Sequence, residues 1–251
     1  MAKIAVTGAS GTIGSHLCKN LSRDHEVVHI DIKGTKHPVD VLNLEALQRA
    51  VQGCDTVVHL AGIVKVKATW EETRENIEGT FNAFEAARLA HCERVIFASS
   101  NHAVGMFEVE ATPRMYRPAS GIMLRSDAPL RPDGLYGVWK CFGESLGRYY
   151  SEEYGLKVAC LRIGGIRKDD NPTPADVSGE ATWLSIDDDL KRLRMKSIWM
   201  SHRDLAGLVR AIVASSVPFG IVYGVSDNAT RFWDLEEGRR LYGFWPQDGV
   251  K

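Results

Sequence analysis

Two stretches carry residue types that could do chemistry. In DGLYGVWKCFGE (133–144), Tyr136 and Lys140 stand four residues apart, which on a helix puts them on one face. A free tyrosine ionises near pH ~10, and an ammonium beside it favours the phenolate, so such a pair can act as a base near neutrality. At about 100° per residue Gly143 and Gly147 continue that stripe, leaving Leu135, Trp139, Phe142 and Leu146 beside it to face a core. A tyrosine and a lysine so spaced are equally what many solvated helix faces carry. The second stretch is KIAVTGASGTIG (3–14), an apolar run of Ile4, Ala5 and Val6 followed by Gly8, Gly11 and Gly14. The first glycine permits a tight turn, the second lets a pyrophosphate approach the backbone, and the third lets a helix pack closely on the strand. That helix would offer free N–H groups and a positive dipole end to the phosphates.

The elements around these stretches alternate between strand and helix, which predicts a parallel sheet built of right-handed crossover units: an α/β, Rossmann-type doubly wound fold. Strands are expected at Glu26–Ile30, Thr56–Leu60, Arg94–Ala98, Val158–Ile163 and Ile221–Val225. Asp31 closes the second, roughly 20 residues past the glycines, where an acid can bond both ribose hydroxyls. The third ends in His59, Leu60, Ala61 and Gly62, small enough at the end for a backbone passing under a cofactor. The fourth closes on Ser99, Ser100, Asn101 and His102, and ligands of open parallel sheets sit at such carboxyl ends.

Leu44, Leu47 and Val51 recur at helical spacing, and a long helix is expected over Trp70–Ala90 with Ile77, Phe81 and Phe84 as its apolar stripe. A helix capped by Asp133 and stopped by Gly155 follows, then helices at Asp204–Ser215 and Phe232–Tyr242. Residues 105–132, with Pro113, Pro118, Pro129 and Pro132, and 164–195 read as long loops over the cleft. The whole chain, 1–251, is drawn as one domain whose segments of about 105–132 and 164–251 form a small C-terminal, substrate-facing lobe.

The 251 residues include 31 basic and 32 acidic side chains, a net charge of −1 that offers no global attraction for nucleic acid or an anionic membrane. Five cysteines (Cys18, Cys54, Cys92, Cys141, Cys160) are widely spaced and match no metal-ligand pattern, so they are expected to be reduced and no metal is predicted. A strand beginning at Lys3 leaves no room for a signal peptide, and no apolar run reaches membrane-spanning length, which predicts a cytoplasmic protein.

Taken in order, Gly8, Gly11 and Gly14, Asp31, HLAG (59–62), Asn76, Ser100 and the Tyr136/Lys140 pair resemble the extended short-chain dehydrogenase/reductases of the epimerase/dehydratase branch. The resemblance covers most of the chain. It implies NAD, held by Gly8, Gly11, Thr12, Ile13, Gly14 and Asp31, by Asp40, Val41, Leu60, Ala61 and Gly62, and by Asn76, Lys140 and Ile163. It also implies that Tyr136 is the catalytic acid/base, that Lys140 lowers its pKa and bonds the nicotinamide ribose, and that Ser100 orients the substrate hydroxyl.

Within that branch, ASSNHAVG (98–105), RPDGLYGVWKCFGE (131–144), LRIG (161–164) and the later Arg194-Met195, Ser197, Trp199 and Ser201-His202 set are similar to the uronate dehydrogenases. These oxidise carbon 1 of cyclic galacturonate or glucuronate to the aldarolactone. The similarity implies substrate contacts from Ser100, Asn101, His102 and Gly165, with Arg194 binding the carboxylate, and a homodimer through the long helices at 70–90 and 134–154. Val64 and Gly165 stand where that pattern has serines. Arg194 also lies in the basic run KRLRMK, which by itself reads as a solvated face. A neutral aldose 1-dehydrogenase, a sugar-nucleotide epimerase or dehydratase using the same Tyr and Lys, and a cofactor-sensing regulator that has lost catalysis are the competing readings. A sensor would need neither Ser100 nor the Tyr136/Lys140 pair.

Overall fold

A computed structural model describes residues 1–117 and 120–251, so Pro118 lies outside the described residues. Six parallel strands, β1 (Lys3–Thr7), β2 (Glu26–Ile30), β3 (Thr56–His59), β4 (Arg94–Ser100), β5 (Lys157–Ile163) and β6 (Phe219–Gly224), lie in the order β2-β1-β3-β4-β5-β6. The chain leaves β1 towards one edge and then crosses back to β3, so the switch point, where a crevice opens at the carboxyl ends, falls between β1 and β3.

Helices cover both faces. α1 (Thr12–Leu21), α7 (His202–Val213) and α8 (Glu236–Tyr242) pack on one, with Ile96 and Ala98 of β4; α2 (Leu44–Val51), α3 (Trp70–Leu89) and α5 (Leu135–Tyr154) pack on the other, with Val95 and Phe97. The alternation along β4 is the period of two that a strand buried on both sides requires. A third cluster joins Val104, Met115 and Tyr116 to Ile198, Tyr223, Phe232 and Trp233, and forms the core of the small lobe. No helix among the described residues is long and apolar enough to cross a membrane.

Four sequence expectations are corrected. On α3 the buried face runs through Thr73, Asn76, Thr80, Ala83 and Ala87 with Phe84, while Phe81 is 43% exposed, because helix and sheet approach too closely for a row of large side chains. On α5 the stripe Tyr136, Lys140, Gly143 and Gly147 is itself buried; a Cβ at Gly143 would strike the Phe97 ring, whereas Leu135 is exposed. Residues 105–132 contain α4 (Gly105–Ala111) and a 3₁₀ turn over Arg114–Tyr116, and 164–195 runs into α6 (Asp188–Ile198), capped by the Asp187 carboxylate accepting from Leu190 N–H at 2.8 Å. Asp133 caps nothing: Gly134 is the N-cap of α5 and makes no side-chain bond, though Gly155 does stop the helix in the left-handed region.

Candidate active site

The glycine turn is shaped for close backbone approach. Gly8 has φ +71, and a side chain on Gly14 would collide with the Gly8 carbonyl. α1, which begins beyond it at Thr12 and Ile13, has neither a side-chain cap nor an acid in its first turn; α2, α3, α6 and α7 are each capped by their own Asn43, Thr69, Asp187 and Ser201. Its first N–H groups are therefore left for an anion. Asp31, at the end of β2, accepts from Ser10 N–H at 2.9 Å and Lys33 N–H at 3.3 Å. That ties the acid to the turn, and each carboxylate oxygen keeps capacity for a ribose hydroxyl. These residues fit a dinucleotide.

A buried relay fixes the floor of the crevice. Thr7 Oγ1 accepts from Leu60 N–H (3.2 Å) and Ala61 N–H (3.3 Å), so its own hydrogen goes to His59 Nδ1, 2.8 Å away. His59 Nε2–H then donates to Thr80 Oγ1 at 3.3 Å, and Thr80 donates to the Asn76 carbonyl at 2.8 Å while accepting from Trp139 Nε1–H at 2.7 Å. Burial, with a smaller contribution from Lys140, pushes the His59 pKa down to about 3, so the imidazole is neutral. Asn76 spends its side chain on Ile63, accepting from N–H at 2.7 Å and donating to C=O at 3.1 Å, which holds the segment after Gly62. Asp40 accepts from Leu42 N–H, and Val41 C=O accepts from Asn82, so that segment is pinned to α3.

β4 runs three residues past the level of His59, which pairs with Phe97, and so lifts Ser100 about 10 Å beyond it. There Ser100 stands near Tyr136: burial pushes the phenol's pKa up to about 12, while the serine hydroxyl, which donates to Asn101 Oδ1 at 3.2 Å, acts the other way and draws it down. The ammonium expected to lower the tyrosine pKa does not do so in this state. Lys140 Nζ donates to Ala98 C=O at 2.7 Å, lies 3.3 Å from the centre of the Trp139 ring and 5.3 Å from that of Tyr136, and burial pushes its pKa well below the usual lysine range.

Asn101 and His102 follow in a buried 3₁₀ turn. Asn101 Nδ2 is buried and finds no partner among the described residues, a donor left over for a ligand. His102 Nδ1–H donates to Asp133 at 2.8 Å; this carboxylate, read from sequence only as a helix cap, sets the tautomer and leaves Nε2 free for other work. The imidazole stands edge-on to Tyr136 (5.4 Å) and to Trp183 (4.8 Å), a residue the sequence did not single out. Ile163 closes β5 beside Ser100. Gly165 is tied by its backbone to Ile198 and Met200, and Ile198 and Met195 crowd the place a serine side chain would need.

Arg194 is buried, unlike its neighbours in the basic run, where Lys191 and Arg192 pair with Asp188 and Asp189 on the surface of α6. It is not free for a ligand as expected. Its Nε and Nη2 donate to both oxygens of the buried Glu108 at 2.6 and 3.1 Å. Burial works against the guanidinium charge, and Glu108 more than restores it, raising the pKa. Neither α4 nor Glu108 was recognisable from sequence.

The chain belongs to the NAD dependent epimerase/dehydratase family, whose pattern matches residues 4–166, and NAD is its cofactor. It is 36% identical to the L-arabinose 1-dehydrogenase (NAD(P)(+)) of Haloferax volcanii, over 99% of this chain and 97% of that protein. It is 32% identical to the NAD-dependent glucose-6-phosphate dehydrogenase of the same organism, over 98% and 93%. Among solved structures it is similar to uronate dehydrogenase from Agrobacterium tumefaciens, with TM-score 0.79 and 32% identity over 99% of this chain and 85% of that one.

Proposed function

We propose that this protein is an NAD-dependent dehydrogenase that oxidises carbon 1 of a cyclic sugar to the lactone, with Tyr136 as base. The observation that carries the reading is the gathering of Ser100, Tyr136 and Lys140 at the carboxyl end of β4, with Lys140 anchored on the Ala98 carbonyl and 5.3 Å from the centre of the Tyr136 ring. When bound, NAD supplies the hydride acceptor and the positive charge of an oxidised nicotinamide. Ser100 Oγ orients the anomeric hydroxyl, and Tyr136 Oη takes its proton. The Lys140 ammonium favours the phenolate. Asn101 Nδ2 donates to one sugar oxygen and His102 Nε2 accepts from a sugar hydroxyl, and the segments 105–132 and 164–251 close the lobe over the sugar.

The names of the relatives divide between a sugar acid, a pentose and a sugar phosphate. Resemblance favours a uronate, held through Arg194 and released as the aldarolactone. A neutral aldose is the second reading, favoured by the engagement of Arg194 with Glu108. The same proposal includes a homodimer through α3 and α5.

A panel of galactose, glucose, arabinose, their uronates and glucose 6-phosphate, followed by absorbance of reduced nicotinamide, tests the reaction. Turnover of at least one free sugar is expected, and Tyr136→Phe should lower kcat by a factor of about 10² to 10⁴ with little change in NAD affinity. Inactivity on every sugar, or a Tyr136→Phe enzyme near wild-type rate, would refute it.

A further inference from the structure

We propose that Glu108 is an internal carboxylate for Arg194, occupying the guanidinium so that the sugar pocket selects a neutral aldose over a uronate. The proposal rests on the C1-dehydrogenase reading above and names its substrate class.

Arg194 on α6 and Glu108 on α4 are 86 residues apart and meet fork to fork, at 2.6 and 3.1 Å, with each side chain 4% exposed. Two parallel charge-assisted bonds of this kind are what an arginine offers a substrate carboxylate. Here the partner comes from the chain itself. Glu108 is also held from a second side, because the buried Tyr116 hydroxyl donates to Oε1 at 2.8 Å and is itself bonded to Thr112 Oγ1 at 3.0 Å. One face of the guanidinium is covered by Trp183, whose ring centre lies 4.8 Å from Cζ.

That tryptophan links the pair to the chemistry. Its ring stands 4.8 Å from His102, which in turn stands 5.4 Å from Tyr136, so the ion pair lies one aromatic ring behind the residues around the reacting hydroxyl. A uronate carboxylate arriving here would meet a cation already matched. It would have to expel Glu108 from its three bonds or add an uncompensated charge in a buried place, and either course is costly. A neutral hydroxymethyl group, or the bare ring of a pentose, brings no such conflict. The crowding of Gly165 by Ile198 and Met195 continues the same trend, with apolar side chains in place of a hydroxyl.

Wild-type kcat/KM is to be measured for galactose against galacturonate and for glucose against glucuronate, pairs that differ only at carbon 6. The neutral sugar should lead in each pair. Glu108→Gln, which keeps the shape and removes the charge, should shift the preference towards the uronate by about tenfold to a hundredfold. Binding is read separately, as the thermal unfolding midpoint with NAD and galacturonate present. Galacturonate should stabilise Glu108→Gln more than wild type, and the response should vanish when Arg194→Met is added. Wild-type preference for the uronates would overturn the proposal even if the variant fails to fold, as would a folded Glu108→Gln with neither a changed preference nor a changed midpoint. An enzyme inactive on every sugar would instead sink the dehydrogenase reading, and the midpoint comparison would still decide the role of Glu108.

Discussion

Burial penalises the charged form of both Tyr136 and Lys140, pushing the phenol's pKa up to about 12 and the lysine's well below its usual range. Ser100 is the group that pulls the tyrosine back towards ionisation. A base must lose its proton before it can act, so a pKa raised by burial makes the rate climb with pH, and loss of the serine hydroxyl moves that climb to higher pH. Ser100→Ala should therefore show a lower kcat and a kcat/KM profile displaced to the alkaline side of wild type. A profile of unchanged position would show that the serine does not tune the phenol.

At the scale of elements, the Thr7-His59-Thr80 relay binds the ends of β1 and β3 to α3 and, through Trp139, to α5. It works only with a neutral imidazole, since each ring nitrogen has one assigned role. The folded pKa of about 3 lies below the ~6.5 of an unfolded histidine, so above pH ~6.5 both states are neutral and the histidine adds no pH dependence. As the pH falls through that window the unfolded chain takes up a proton that the folded chain refuses, and stability drops. Thermal midpoints should fall between pH 6.5 and 4, and His59→Gln, though less stable overall, should show the shallower slope. Parallel slopes for the two proteins would contradict the assignment.

At the scale of the whole molecule, the outer side of the α3/α5 pair carries Trp70, Phe81, Val138, Tyr149 and Tyr154, all exposed. Trp70, Ile77 and Phe81 on α3, and Val138, Phe142 and Tyr149 on α5, recur at intervals of four and seven residues, the stripe of a helix meeting another helix. A second copy of the pair would cover both stripes, which is the physical case for the proposed homodimer. Light scattering at micromolar concentration should give the mass of two chains, and Phe81→Glu combined with Tyr149→Glu should give the mass of one while the far-ultraviolet circular dichroism stays the same. A monomeric wild type would remove the dimer from the proposal.

What could be read from sequence was decided locally. The glycine turn at Gly8, Gly11 and Gly14 follows from backbone sterics within a few residues, the Tyr136/Lys140 pairing from helical spacing, the stop at Gly155 from its left-handed conformation, and the strands from short apolar runs. What could not be read was settled between distant parts of the chain. Asp133 looked like a cap and became the partner of His102, 31 residues away; Arg194 looked like a free clamp until α4, hidden in an apparent loop, brought Glu108 to it. Phe81 took the outer side of α3 because the sheet-facing side is already filled by Phe84 and a row of small residues. The direction of the Tyr136 shift was likewise decided by burial, which sums contacts from several elements, whereas the spacing of Lys140 records only its neighbourhood on one helix.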